Sequence, residues 1–350
     1  MKVAIITDTH FGARSDSQAF SDYFYRFWTG TFFPYLDKHN IKTIIHSGDL
    51  MDRRKYVNYD TLARMRKEFL QPMINDKITM HCIVGNHDTY YKNTSATNSI
   101  EQLFAIDGIP NNDTFHTPVI GYEEASELIL PDGYKLDLLP WINDGNEDRI
   151  LEFIKKSKNS VAFGHFDLSG FEMMKGVKSV YHSRSPDFLD KYDTVYSGHF
   201  HTKSDNGHVY YLGNTYEITW ADYNDPRGFH IFDTETLECE FILNPHTMHS
   251  KIIYDDTPID TDSYANQIVK VIVDKKDDIE LFNRVCEELE KKCEVLSIIE
   301  DHGLLSSDQI EFETEDTITT LEKYVDNLSI DNGKQVKKIL HEIYVEALSI

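Results

Sequence analysis

The chain predicts an α/β fold, and three observations carry that prediction. Five short runs of β-branched and apolar residues read as strands buried on both faces of a sheet. At least two of the connections between them carry helical patterns, the alternation of an α/β protein. Each run also ends in the same restricted set of polar residues: aspartate, asparagine or histidine.

The elements follow in order. VAIITDTH ends in Asp8 and His10. Between it and the next strand, Ser17 to Asn40 places Phe20, Phe24, Phe27, Trp28 and Leu36 at helical spacing. TIIHSGDLMD ends in Asp49, with Asp52 three residues on, and Asn58 to Gln71 then repeats the helical pattern with Leu62, Met65, Phe69 and Leu70. HCIVGNHD ends in Asn86, His87 and Asp88, SVAFGH in His165, and TVYSGHFH in His199 and His201. HVYYLG, GFHIFDT and ECEFILN read as further strands, with a turn at Asp225-Pro226-Arg227-Gly228 between them.

The composition changes after about Lys251. QIVKVIVDK reads as a strand, DDIELFNRVCEELEKK as an amphipathic helix with Leu281, Val285 and Leu289 on one face, and CEVLSIIED as another strand. This predicts a small α/β domain over 251–301 behind a main domain of 1–250. A polar linker is expected over 302–315. Two short helices are expected over 316–350, one carrying Ile318, Leu321, Val325 and Leu328, the other Val336, Leu340 and Ile343. Their apolar stripes need a surface, either their own domain or a partner.

In open α/β folds ligands bind beyond the carboxyl ends of the strands, and that is where every polar residue of this set falls. Any one of them has an ordinary structural explanation, such as a helix cap or a satisfied core histidine. Five strand ends with the same chemistry point instead to a shared metal site. Oxygen and imidazole donors without sulfur suit manganese, iron, zinc or magnesium and argue against a structural thiolate zinc. Seven candidate ligands are too many for one ion. They suit two, about 3.5–4 Å apart and bridged by a carboxylate.

DTH, GDLMD, GNHD, GH and GHFH, in this order, resemble the five motifs of the calcineurin-like metallophosphoesterases. SGFEMMKGVKS and NDPRGFHIFDTET narrow the resemblance to the SbcD-type nuclease subunits of recombination and break-repair complexes, those of T-even-like phages among them. The resemblance is strong over about residues 1–245 and rests on layout beyond. It implies a two-sheet sandwich flanked by helices, with HVYYLG, GFHIFDT and ECEFILN completing the second sheet, a small capping domain that meets DNA, and a C-terminal helical hairpin that grips an SMC-like coiled-coil ATPase. It also implies a homodimer of the nuclease subunit within a heterotetramer. The implied activity is two-metal hydrolysis of DNA phosphodiesters, as a duplex-end exonuclease and single-strand endonuclease.

Residue by residue, the resemblance assigns Asp8, His10, Asp49 and His201 to one ion and Asp49, Asn86, His165 and His199 to the other. Manganese is expected first and magnesium second. His87 becomes the catalytic group at the leaving 3′ oxygen, where an imidazole suits proton transfer. Asp52 either orients that histidine or serves a local loop, and Asp88 reads as a turn or supporting residue. Arg14, Arg53, Arg54 and Lys55 form either a solvated charged face or a rim that contacts phosphates. Tyr90 and Lys92 either line the same groove or pack locally.

The net charge of −24 sets a constraint. Proteins that bind nucleic acid alone are usually basic, so bound cations and a basic partner would have to supply much of the DNA affinity. Four cysteines without a CxxC pair suggest a reducing compartment, the cytoplasm, which is the host's for a phage-encoded chain. No run of about 18 apolar residues is present, so no membrane partner is expected. The rival reading is a protein phosphatase or small-molecule phosphodiesterase on the same fold. GDLMDRR approaches the phosphatase form of the second motif, but Arg54 stands where that form has glycine, and GNHD stands in place of GNHE.

Overall fold

A computed structural model describes residues 1–104, 118–179 and 183–300, together with Val325, Val336, Lys337 and Leu340. The chain divides into two compact units, Met1–Ser250 and Lys251–Ile350.

The first unit is a sandwich of two six-stranded sheets. One sheet contains β1 (Lys2–Ile6), β2 (Thr43–His46) and β3 (Thr79–Ile83), all mutually parallel. The other contains β4 (Val161–His165) and β5 (Thr194–Gly198), also parallel, with Gly198 level with His165. Parallel pairing brings the carboxyl ends of neighbouring strands to one edge of each sheet. The polar residues that end these strands therefore become neighbours. Between the sheets lies a dry layer that includes Val3, Ile5, Ile45, Ile83, Phe163, Tyr196 and Phe232. Burying a large apolar side chain contributes about 1.5–3 kcal/mol, which makes this layer the main restraint on how the strand ends meet.

The two helical regions predicted between β1, β2 and β3 are present. Gln18–Phe27 continues through Trp28–Phe32 and Phe33–Lys38, and Tyr59–Met65 through Arg66–Leu70 and Gln71–Asn75. Their aromatic residues pack on each other, with Trp28 against Phe69 and Phe24 stacked on Tyr216. The later strands depart from the expectation that they complete the second sheet. Val209–Tyr211 does pair with β5 there. Gly228–Asp233 crosses to the first sheet, antiparallel to β1, and Cys239–Leu243 follows it. Phe229 packs toward Phe27 and Phe32 while Phe232 faces the inter-sheet layer, so the strand is buried on both faces.

The second unit contains the expected strand–helix–strand. Ile268–Lys275 and Val295–Glu300 are parallel, and Ile279–Lys292 packs Phe282, Val285 and Leu289 on Val269, Val271 and Val273. Asp278 caps this helix by accepting from Leu281 N–H. Val325, Val336 and Leu340 are helical, with Val325 buried. Ile318, Leu321, Leu328, Ile343 and the stretch 302–315 lie outside the described residues.

Candidate metal centre

Asp8, His10, Asp49 and His199 all hold left-handed backbone, with φ of 50°, 42°, 57° and 90°. Non-glycine residues seldom sit there, at a cost of about 1–3 kcal/mol each, so the surroundings must impose it. Asp8 N–H donates to Gly48 carbonyl, and His10 N–H to Asp49 carbonyl. His199 N–H donates to the Asp8 carboxylate at 3.1 Å. Gly48, at φ 94°, could carry no side chain, because a Cβ would lie 2.5 Å from His165 Nδ1.

Asp88 is the buried anchor that joins the Asp49 turn to the turn of Asn86. Its Oδ2 accepts from Asp49 N–H (2.9 Å), Leu50 N–H (3.3 Å) and Gly85 N–H (3.0 Å). Its Oδ1 accepts from Met51 N–H (3.2 Å) and the Ser99 hydroxyl (2.9 Å). Burial pushes its carboxyl up to about 6, with Asp49 adding to the shift. The supporting role read for Asp88 in the sequence thus takes a definite form: one carboxylate ties the GDLMD turn to the GNHD turn.

The seven expected ligands come together in two groups. In one, His10 Nε2 faces His201 Nε2 at 3.2 Å, with Asp8 Oδ1 3.9 Å from the former and 4.0 Å from the latter. In the other, Asn86 Oδ1 lies 2.9 Å from both His165 Nε2 and His199 Nδ1. Asp49 stands between the groups. Its Oδ2 is 3.9 Å from His10 Nε2 and 3.3 Å from His165 Nε2, and its Oδ1 accepts from His87 N–H. His165 Nδ1 donates to Ser47 carbonyl at 2.7 Å, which turns the Nε2 lone pair inward.

The donor set fits divalent cations. Nitrogen and oxygen atoms that could hold an ion lie within 4.8 Å of one another in each group. The pocket also favours positive charge. Burial works against a charged His165, but the Asp49 carboxylate outweighs it and lifts the imidazole to about 9. Burial works against the Asp49 charge too, yet the His165 and His87 imidazoles hold its carboxyl well below the usual range. Burial raises Asp8 and lowers His10 and His199. Neutral imidazoles are the form that binds metal.

His87 lies beside the groups, its ring edge-on to His10 at 4.9 Å. Its Nδ1 donates to the main-chain carbonyl of Asp52 at 2.6 Å. Of the two readings of Asp52, a pair with His87 or a local loop role, the bond to His87 is made by its main chain. The carboxylate lies instead 3.5 Å from His10 Nδ1.

The cationic rim is uneven. Arg53 is tied to Asp16 and to the Tyr56 hydroxyl. Arg54 is half-buried beside Asp49, and its Nε and Nη1 have no hydrogen-bond partner; burial lowers its pKa and Asp49 opposes that. Arg14 and Lys55 are exposed. Tyr90 and Tyr91 pack edge-on at 4.7 Å and expose 39% and 54% of their surface on a short hairpin that also carries Lys92. Sequence reading passed over Trp141, whose ring lies 5.1 Å from that of His199, and Thr7, whose hydroxyl donates to Asp8 Oδ2 at 2.5 Å. It also passed over buried His46, bonded to the Thr9 hydroxyl and lowered to about 3 by burial. Only the position of Thr7 directly before Asp8 hinted at its role.

Two sheets that deliver carboxylates and imidazoles to a shared edge, grouped around one carboxylate, define a metal-dependent phosphoesterase. Residues 1–203 match the calcineurin-like phosphoesterase family, and the chain belongs to it. Over 361 aligned residues it is 35% identical to exonuclease subunit 1 of Enterobacteria phage T4, covering 99% of both chains. Solved structures with a similar fold include a dimetal phosphatase from Danio rerio (11% identity, TM-score 0.42, 66% of this chain and 91% of that one). An archaeal phosphodiesterase is also similar (16% identity, TM-score 0.32, 69% and 99%). These two likenesses are too distant to bear on substrate. Among the described residues, no helix is long and apolar enough to cross a membrane.

Proposed function

We propose that the chain is the nuclease subunit of a DNA recombination and repair assembly and hydrolyses DNA phosphodiesters with two divalent ions, manganese foremost. The observation that carries the reading is the Asp49 carboxylate set between two separate groups of nitrogen and oxygen donors. The full-length likeness to a phage exonuclease subunit directs it to DNA.

Asp8, His10, Asp49 and His201 would hold one ion, and Asp49, Asn86, His165 and His199 the other. Bound there, such ions acidify water and neutralise charge that develops on phosphoryl oxygens. The protein supplies the rest. Asp88 holds two ligand turns rigid. Asp52 carbonyl holds the Nδ1 proton of His87, which leaves Nε2 to serve the leaving 3′ oxygen. Arg54, half-buried beside Asp49, would bring positive charge toward a non-bridging oxygen. Tyr90 offers a ring for an unstacked base, while Arg14, Lys55 and Lys92 follow the backbone. Arg53, already paired with Asp16, is the weakest of these candidates.

Residues 251–301 would form the capping domain. The apolar stripes expected over 316–350, of which Val325, Val336 and Leu340 are described, would bind an SMC-like coiled-coil ATPase, two nuclease subunits meeting in a heterotetramer in the cytoplasm. The partner would then supply the DNA affinity that a net charge of −24 withholds. The test is hydrolysis of end-labelled duplex, labelled single strands and a chromogenic phosphate monoester, each with manganese. Cleavage of the monoester alone would reassign the chain to the phosphatases.

A further inference from the structure

The two ends of Asp52 face different histidines. Its carbonyl accepts from His87 Nδ1 at 2.6 Å. Its carboxylate Oδ1 is 3.5 Å from His10 Nδ1, a fully buried nitrogen that makes no hydrogen bond of its own. His10 Nε2, on the far side of the same ring, points to His201, Asp8 and Asp49.

We infer that Asp52 is a positioning residue whose side chain serves the metal ligand His10, while its main chain alone positions His87. An imidazole that binds a cation through one nitrogen carries its proton on the other. A carboxylate behind that proton fixes the ring and raises its basicity. Asp52 is the one carboxylate described at ion-pair distance from His10 Nδ1, so it fills this place. The alternative, a carboxylate–imidazole pair between Asp52 and His87, lacks a proton to share. His87 Nδ1 has one hydrogen, and the carbonyl holds it at 2.6 Å.

A second alternative is a cation site of its own. Donor atoms of His10, Asp52 and His87 lie within 4.8 Å of one another. Such a site would require His10 to bind metal through both nitrogens, and so to lose both ring protons. Two cations sharing the ring would have to draw off that second proton, and Asp52 is the one carboxylate of the trio to hold the second of them. His87 Nδ1 is already a donor, to the Asp52 carbonyl.

This inference rests on the two-ion reading proposed above. The experiment titrates manganese into the full-length chain, following free Mn²⁺ by its EPR signal, for the native protein, Asp52→Ala and Asp52→Asn. Turnover on DNA is then measured at saturating manganese. Asp52→Ala should weaken one of two sites about 10–100-fold and leave the other unchanged. Asp52→Asn, whose amide oxygen can still accept from His10, should weaken it less. Saturating manganese should return kcat of both variants to within a few-fold of native. Two unchanged sites with a kcat that manganese does not restore would overturn the inference in favour of a carboxylate–His87 pair. Three ions bound by the native chain, one of them lost in Asp52→Ala, would overturn it in favour of a separate cation site. If the native chain binds no manganese, the two-ion reading itself fails.

Discussion

The two halves of the metal centre are built differently. The half around Asn86, His165 and His199 is tightly wired. His165 is fully buried, held from behind by Ser47 carbonyl, and Asn86 lies 2.9 Å from both imidazoles. The half around Asp8, His10 and His201 is looser. Its carboxylate–imidazole distances are 3.9–4.0 Å, His201 exposes 30% of its side chain, and His10 relies on Asp52 at 3.5 Å. A rigid donor set needs little reorganisation to accept an ion, and a loose, wet one needs more. The first half should therefore fill at lower metal concentration, and the second should exchange with solvent.

That comparison can be broken or sharpened by substitution. Asp49→Ala removes the one residue that both halves share. Both ions should be lost and hydrolysis should fall by about 10³-fold or more, since metal ions contribute several kcal/mol to stabilising the transition state. Metal content by elemental analysis beside the rate decides it. A variant that kept one ion at full occupancy would show that the halves are independent.

His87→Ala should leave both halves loaded and lower the rate about 10²–10⁴-fold. Loss of an ion in this variant would make His87 a ligand and redraw the looser half.

Asp88→Asn should act most on the half that holds Asn86, because the buried carboxylate joins the turn of Asp49, which both halves share, to the turn of Asn86, which only one uses. The NH₂ group leaves at least one buried N–H without an acceptor, since the Ser99 hydroxyl can turn to accept but Met51 N–H cannot. At about 1–3 kcal/mol per lost partner, the fall in Tm is roughly 2–12 °C or more. Manganese affinity should drop more in the Asn86 half. A larger drop in the other half would mean that the turns are held separately.

Arg54→Lys should have the smallest effect. Charge remains and the forked N–H geometry goes, so KM for DNA should rise about tenfold with kcat nearly unchanged. Matched metal titrations should be identical to native. A changed titration would show that Arg54 supports Asp49 rather than the substrate.

Much of this centre was legible in the chain. Each candidate donor ends an apolar run, and the residue types restrict the chemistry to a metal site, while the choice of seven among them came from the family resemblance. Asp52 shows the limit. The resemblance made an interaction with His87 one of two readings, but a sequence does not say whether a carbonyl or a carboxylate makes the bond. The late strands show another. Gly228–Asp233 carries a clear strand pattern, yet its partner is β1, over two hundred residues away in the chain.

By itself the sequence determined which apolar runs form strands and which nitrogen and oxygen donors end them. Period and composition are local properties, and they act through hydrophobic burial and backbone preference. Tertiary structure alone decided which strand ends meet. It placed Asp8, Asp49 and Asn86 at the edge of one sheet and His165 and His199 at the edge of the other. It bent Asp8, His10, Asp49 and His199 into left-handed backbone and tied the Asp49 turn to the Asn86 turn through Asp88. It also turned the two ends of Asp52 toward different histidines. These are matters of strand pairing and packing between segments far apart in the chain, where shape and hydrogen-bond satisfaction choose among neighbours that local patterns leave equivalent.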